Sequence, residues 1–259
     1  MSSEREAPLV DARSEGPVCV LTLWREAKLN ALSTALEGAL AEALSREEVL
    51  GAGSVVLTGR GRAFSAGADV DELRERSPEA VLAYYEATGG VYERVAALPQ
   101  PTVSAIAGYC LGGGLELALA TDFRIADDTA VFGFPEVGLG ILPSSGGTQR
   151  LTRLLGPARA KELILLRSRV DAQQALAVGL VSEVVRAGDA LDRALALARE
   201  LAGLPRLAAS VAKQAIDAVP EGSRAVGILV ERLAYATLAQ TADARAASEA
   251  FEERRGEGG

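Results

Sequence analysis

Two glutamates in apolar, glycine-rich surroundings are the residues of this chain best suited to chemistry. Glu116 follows a triple glycine in Gly112-Gly113-Gly114-Leu115-Glu116, and Glu136 lies 20 residues on, in the turn Phe134-Pro135-Glu136-Val137-Gly138. The 259 residues include no histidine, so proton transfer near neutral pH falls to other groups. Carboxylates with shifted pKa values are the natural substitutes. Glu116 is flanked by leucines, neighbours that a solvated glutamate rarely has. Glu136 sits among Phe, Pro, Val and Gly, again short of counter-charge. Either acid alone is equally compatible with a structural role. Two acids sharing an apolar site have their pKa values pushed apart, so one holds a proton while the other accepts one.

Two loops could serve such a pair. In Gly59-Arg60-Gly61-Arg62-Ala63-Phe64-Ser65-Ala66-Gly67-Ala68-Asp69-Val70 the small residues let a ligand approach the backbone closely. The Ala68 amide is expected where a helix begins, with Asp69 in its first turn. Gly112-Gly113-Gly114, at the start of an apolar helix, offers unpaired N–H donors and the positive end of a dipole. Either loop alone reads as a plain strand–turn–helix junction. Together they supply the components of an oxyanion hole. The triple glycine lacks the Gly-x-Gly-x-x-Gly spacing and the later acidic partner of a dinucleotide site, so that function fits poorly. Arg25 and Lys28, before Leu29-Asn30-Ala31-Leu32, and likewise Arg60 and Arg62, either meet an anionic ligand group or solvate loops. Ser144-Ser145-Gly146-Gly147-Thr148 reads as a helix N-cap with its turn. Cys110 has no histidine to activate it and reads as a small buried residue.

The elements that must position these residues alternate. Strands are expected at Val18 to Trp24, Ser54 to Thr58, Thr102 to Ala107, around Phe123 to Ala126, at Val131-Phe132 and at Val181 to Val185. Helices are expected after Ser33, from Ser77 to Leu98, after the triple glycine, from Gly146 to Leu166 and from Ala172 to Val178. That order implies parallel pairing and an α/β fold. From about Leu191 strand signals vanish and helical periodicity continues to Phe251. A boundary near residues 195–205 gives an α/β body over 1–197 and a helical tail over 198–259. The tail's apolar stripe, Val226, Leu229, Val230, Leu233 and Leu238, suits packing or subunit contact. Net charge is −8, which argues against a nucleic-acid surface. Two cysteines are too few for a disulfide framework or a cysteine zinc site, and no metal is expected. The start is polar and acidic, without a signal-peptide pattern, and no apolar run is long enough to span a membrane. A cytoplasmic protein is expected.

These residues resemble the crotonase superfamily, specifically its enoyl-CoA hydratase group, from about Val18 to Val185. The resemblance is carried by Leu29-Asn30-Ala31-Leu32, Ala63 to Asp69, Gly108-Tyr109-Cys110-Leu111-Gly112-Gly113-Gly114-Leu115-Glu116-Leu117-Ala118, Asp122-Phe123-Arg124-Ile125-Ala126, Phe132 to Gly140 and Gly146-Gly147-Thr148-Gln149-Arg150-Leu151. It implies a spiral of ββα turns with a C-terminal helical oligomerisation domain, in a trimer or a pair of trimers. It implies an acyl-CoA substrate, with coenzyme A as part of that substrate and no separate cofactor, no nucleic acid and no membrane. By position, Ala68 and Gly113 would hold the thioester oxygen. Arg25, Lys28, Ala31, Ala66, Gly67, Asp69 and Val70 would line the CoA path, and Leu73 and the Tyr84–Tyr92 helix the far wall. Glutamate at both Glu116 and Glu136 is the hydratase pattern, implying reversible syn addition of water across the 2,3 double bond. Isomerases often keep only the second acid. Dehalogenase, naphthoyl-synthase and dienoyl-isomerase types tend to need an aspartate within the stretch that here reads Leu142-Pro143-Ser144-Ser145. The chain departs from many hydratases at Phe134, where glutamine is frequent. Alternatives are an enoyl-CoA delta isomerase, a hydratase for a branched or aromatic acyl group, or an inert or RNA-binding scaffold.

Overall fold

Short apolar runs bounded by glycine or proline become strands, and the amphipathic stretches between them become helices. The computed structural model describes residues 8–73, 77–84 and 90–256. Its strands are β1 (Val10–Glu15), β2 (Val18–Leu23), β3 (Ser54–Gly59), β4 (Ala63–Ser65), β5 (Thr102–Ile106), β6 (Tyr109–Leu111), β7 (Phe123–Asp127), β8 (Val131–Gly133), β9 (Val170–Asp171) and β10 (Glu183–Val185). The body helices are α1 (Thr34–Ala43), α2 (Glu47–Leu50), α3 (Val70–Leu73), α4 (Pro78–Tyr84), α5 (Gly90–Ala96), α6 (Gly113–Leu119), α7 (Gly147–Leu165), α8 (Ala172–Ala177) and α9 (Ala190–Ala202). Then follow α10 (Arg206–Ala218), α11 (Arg224–Leu238) and α12 (Ala242–Gly256).

Six strands form one sheet in the order β1-β2-β3-β5-β7-β10, and four form a second in the order β4-β6-β8-β9. Among the described residues only the strand pairs β1/β2 and β8/β9 are antiparallel. The pairs β3/β4, β5/β6 and β7/β8 each place one strand in the large sheet and the next in the small one, then hand over to helix. That is a spiral of ββα turns. The central strands are buried on both faces, as parallel strands covered on both sides must be. Their alternation divides the interior. Cys19, Leu21, Leu23, Val55, Leu57 and Ile106 join the main core with Leu36, Leu40, Phe64, Leu115 and Phe132. Val18, Val20, Val56, Val103 and Ile125 face the other way, where α9 covers them with Ala190, Ala194, Leu195 and Ala198.

Boundaries differ in a few places. The last strand begins at Glu183 rather than Val181. The helix read from Ser77 to Leu98 appears as α4 and α5, and residues 85–89 lie outside the described part. The helix α7 is kinked where Gly156 leaves helical geometry (φ 77°, ψ 163°) ahead of Pro157. Beyond Leu204 none of the described residues is buried. Val226, Leu229, Val230 and Leu233 of α11 are all exposed. Among the described residues no helix is long and apolar enough to cross a membrane.

Candidate active site

The turn from β6 into α6 sets the first carboxylate. Gly112 takes a left-handed φ of 49° there, and its N–H donates to the Gly133 carbonyl at 2.9 Å, tying the turn to β8. Glu116 follows in the first turn of α6 and is 3% exposed. Its Oε1 accepts hydrogen bonds from the backbone N–H of Ser145 at 2.7 Å and of Gly147 at 2.8 Å. The Ser144–Thr148 segment is therefore not a side-chain cap. Gly146, at φ 97°, occupies the N-cap of α7, no side chain caps it, and the free amides turn to Glu116 instead. A β-carbon at Gly147 would lie 2.8 Å from both Glu116 Cγ and Oε1, so glycine is needed for that approach. Burial raises the Glu116 carboxyl above its ordinary pKa, while the amides of Gly147, Ser145 and Ser144 and the charge of Arg150 pull it back.

Glu136 opens a 3-10 turn, Glu136–Leu139, directly after Pro135. Its Oε1 lies against Gly112, where any β-carbon would collide with it. Its Oε2 is buried and, among the described residues, has no hydrogen-bond partner. Burial pushes this carboxyl up to about 7, opposed by a bond from its own amide and reinforced by the charge of Glu116. The two acids are thus close enough to feel each other.

The two predicted amides converge beside them. Gly113 is the first residue of α6, and Ala68 lies in the loop after β4. Leu32 N–H donates to the Gly67 carbonyl at 2.8 Å and Asp69 N–H to the Leu32 carbonyl at 2.9 Å, which pins the loop on either side of Ala68. A β-carbon on Gly113 would lie 3.4 Å from the Ala68 nitrogen, and one on Gly67 would lie 3.6 Å from the Gly113 nitrogen. Among the described residues neither amide donates a hydrogen bond. Two unspent donors facing one small space can hold a single oxygen.

The remaining predicted residues form the rim of that loop. Arg25 Nη1 donates to Asp69 Oδ2 at 2.7 Å and to the Ala31 carbonyl at 3.2 Å. The hydrogen bond from Arg25 holds the Asp69 carboxyl below its ordinary range. Asp69 stands before α3, not in its first turn, and its Oδ1 accepts from the Asp71 N–H at 3.2 Å. Asn30, with a left-handed φ of 54°, donates to the carbonyls of Arg60 and Ala63, and Ala66 N–H donates to the Leu29 carbonyl. Segments 25–32 and 60–69 are therefore laced together, which brings Arg25, Ala31, Ala66, Gly67 and Asp69 to one edge, with Val70 following as the start of α3. Lys28 is further out, exposed and 3.7 Å from Asp71. Arg60 stacks 3.7 Å over the Trp24 ring and pairs with Glu26 at 2.6 Å. Cys110 is buried, and burial pushes its thiol up, as suits an inert packing residue.

The family model for enoyl-CoA hydratase/isomerase matches residues 13–257. The chain belongs to that family. It is 41% identical over 240 residues to a Mycobacterium bovis protein described as a probable enoyl-CoA hydratase, covering 92% of each chain. It is 37% identical over 246 residues to the short-chain-enoyl-CoA hydratase of Clostridium acetobutylicum, covering 93% of each. The crystal structure of an enoyl-CoA hydratase from Bacillus anthracis superposes with a TM-score of 0.89 at 37% identity, over 95% of this chain and 96% of that one. The crotonase resemblance and the ββα spiral are both established by these matches.

In this member of the enoyl-CoA hydratase/isomerase family, two features escaped the sequence. The amides of Ser145 and Gly147 that hold Glu116 are backbone groups, and the only trace of them was the paired glycine Gly146-Gly147. The contact between Gly112 and Glu136 spans 24 residues and left no local signal. Phe134 fills the main core and is 1% exposed, so it offers Glu136 no hydrogen bond. Leu73's side chain lies outside the described part, while the Tyr92 hydroxyl lies 3.3 Å from where a β-carbon on Gly113 would be.

Proposed function

We propose that the protein is an enoyl-CoA hydratase, a hydro-lyase adding water reversibly and syn across the 2,3 double bond of a 2-enoyl-CoA. The observation that carries this reading is two carboxylates of opposite satisfaction beside two unspent amides. Ala68 and Gly113 would hold the thioester oxygen. Conjugate addition places negative charge on that oxygen, and donors already aimed at it stabilise the charge without reorganising. Glu116 takes a proton from water as the water oxygen bonds to C3. The π electrons move toward C1, giving an enolate, and Glu136 then delivers its proton to C2. The pair returns to its starting state by passing one proton back, and dehydration runs the steps in reverse. Coenzyme A enters only as part of the substrate, and no other cofactor is needed.

The CoA path along Arg25, Lys28, Ala31, Ala66, Gly67, Asp69 and Val70 belongs to the same proposal. So does the division at residue 198 into a spiral body and an assembling tail, in a trimer or a pair of trimers. The exposed apolar face of α11 supports it, as does a groove of about 1220 Å3 lined by Leu98, Leu119, Leu154 and Leu201. A second reading, a double-bond isomerase using Glu136 alone, is favoured by Phe134, which offers Oε2 of that acid no hydrogen bond. Purified enzyme given crotonyl-CoA and a 3-enoyl-CoA in parallel decides between them. Formation of 3-hydroxybutyryl-CoA is expected. Turnover of the 3-enoyl thioester alone would overturn hydration.

A further inference from the structure

A buried carboxylate with no part in this mechanism lies just behind the amide pair. Glu37, on α1, is 3% exposed. Its Oε1 accepts a hydrogen bond from the Tyr92 hydroxyl at 2.8 Å, and its Oε2 one from the Tyr84 hydroxyl at 2.6 Å. Burying a carboxylate is unfavourable, and an apolar side chain would serve as well to pack α1 against α5. Tyr92 is itself buried, and its hydroxyl lies 3.3 Å from where a β-carbon on Gly113 would be. Leu32 Cδ1 stands at 3.3 Å and the Ala68 nitrogen at 3.4 Å from the same point. The phenol tip, Leu32 and both amides therefore border one small space. The single phenolic proton is committed to Glu37, so the oxygen presents lone pairs toward that space. Tyr92 is a wall there, not a third donor.

We infer that Glu37 is a positioning residue that fixes Tyr92 as the specificity-determining wall at C2 of the acyl group, selecting thioesters unbranched at that carbon. This rests on the acyl-CoA reading above. An oxygen held by Ala68 and Gly113 is one bond from C1 and two from C2. A wall bordering those amides therefore meets C2 and its substituents, not the distal chain. A methyl branch at C2 would press on the Tyr92 hydroxyl, whose retreat is blocked by Glu37 behind it.

The test compares dissociation constants for butyryl-CoA and 2-methylbutanoyl-CoA, saturated thioesters that cannot be hydrated, alongside kcat and KM for crotonyl-CoA and its 2-methyl analogue. The intact enzyme is expected to prefer the unbranched ligand by about ten-fold or more, the scale at which one methyl group is discriminated. Tyr92→Phe removes only the hydroxyl and should erase most of that preference, read as a fall in Kd and KM for the branched thioesters relative to the unbranched ones. Glu37→Gln should move the ratio in the same direction. Tyr84→Phe, which breaks the other bond to the same carboxylate, should leave it within about two-fold. An unchanged ratio in Tyr92→Phe, or an equal shift in Tyr84→Phe, overturns the inference even if Glu37→Gln fails to fold. An enzyme that keeps the binding preference yet hydrates nothing sinks only the hydratase assignment. One that hydrates crotonyl-CoA without any preference sinks only this inference, and one that binds neither thioester sinks both.

Discussion

Glu116 and Glu136 are the same side chain, yet α6 and the 3-10 turn after Pro135 surround them in opposite ways. Around Glu116 the entry to α7 turns its amides inward, and those donors favour the ionised form against burial. Around Glu136 no hydrogen-bond partner among the described residues meets Oε2, so burial and the neighbouring charge favour the neutral form. The difference is made almost entirely by backbone. Glycine-rich turns supply donors on one side and withhold them on the other, which is how a chain without histidine can set a base against an acid.

Neutralising each acid in turn separates their roles. Glu116→Gln keeps an oxygen for the Ser145 and Gly147 amides, and Glu136→Gln keeps the volume, so both variants should stay folded. Each should lower kcat for crotonyl-CoA hydration by about 10²–10⁴-fold, the range of one acid–base group. Near-native turnover in either removes the two-acid mechanism. Next in size is Gly113→Ala. Its methyl would sit 3.3 Å from Leu32 Cδ1 and the Tyr92 hydroxyl and 3.4 Å from the Ala68 nitrogen, filling the space meant for the acyl oxygen. A loss of about 10²-fold in kcat/KM is expected, comparable to losing one oxyanion donor, with an unchanged melting temperature. Activity within a few-fold of the parent would place the acyl oxygen elsewhere.

Much of this arrangement was legible from the sequence because it is written in unusual local contexts. Glu116 between leucines, Glu136 after Pro135 and the small residues around Ala68 and Gly113 all stand out against ordinary solvated loops. Most of the large sheet was legible as well, since β3 and β5 are continuous apolar runs, but β1 was not read, because Asp11, Arg13, Ser14 and Glu15 make it mostly polar. Of the small sheet only β8 was read, at Val131-Phe132. Its strands β4, β6, β8 and β9 have two or three residues each, too few to show an alternation. Glu37 was equally hidden. In Thr34-Ala35-Leu36-Glu37-Gly38 it reads as a solvated helix position, and its partners Tyr84 and Tyr92 lie 47 and 55 residues away. Contacts between distant backbone and side-chain groups leave no periodicity to read.

The contrast between the acids also fixes a pH dependence. The active pair carries one proton, on Glu136 before hydration and on Glu116 after it, so both directions require the same protonation state. With Glu136 titrating at about 7, kcat/KM for hydration should fall about tenfold per pH unit above that value, and dehydration should follow the same limb. Rate profiles from pH 5 to 9 check this. A flat profile through the alkaline range means Glu136 is not the proton donor.

Stability also responds to the proton on Glu136, and this response isolates Glu136 from everything else. Its carboxyl is raised from an ordinary 4.5 to about 7 in the folded chain, because the buried group resists ionising. Between those values the folded protein keeps a proton that the unfolded chain releases. Its contribution is therefore fully present below about 4.5 and is lost as pH rises through about 7. Glu136→Gln has no such proton, so the variant should gain on the parent as pH rises from 5 to 8. Part of the carboxyl is open to solvent, which reduces the gain to on the order of 1–2 kcal/mol. Denaturant titrations at fixed protein concentration, at pH 5 and pH 8, measure the difference. A gain that does not grow with pH would mean that Oε2 finds a partner in solution. Glu136 would then be as well satisfied as Glu116, and the opposition between the two acids would vanish.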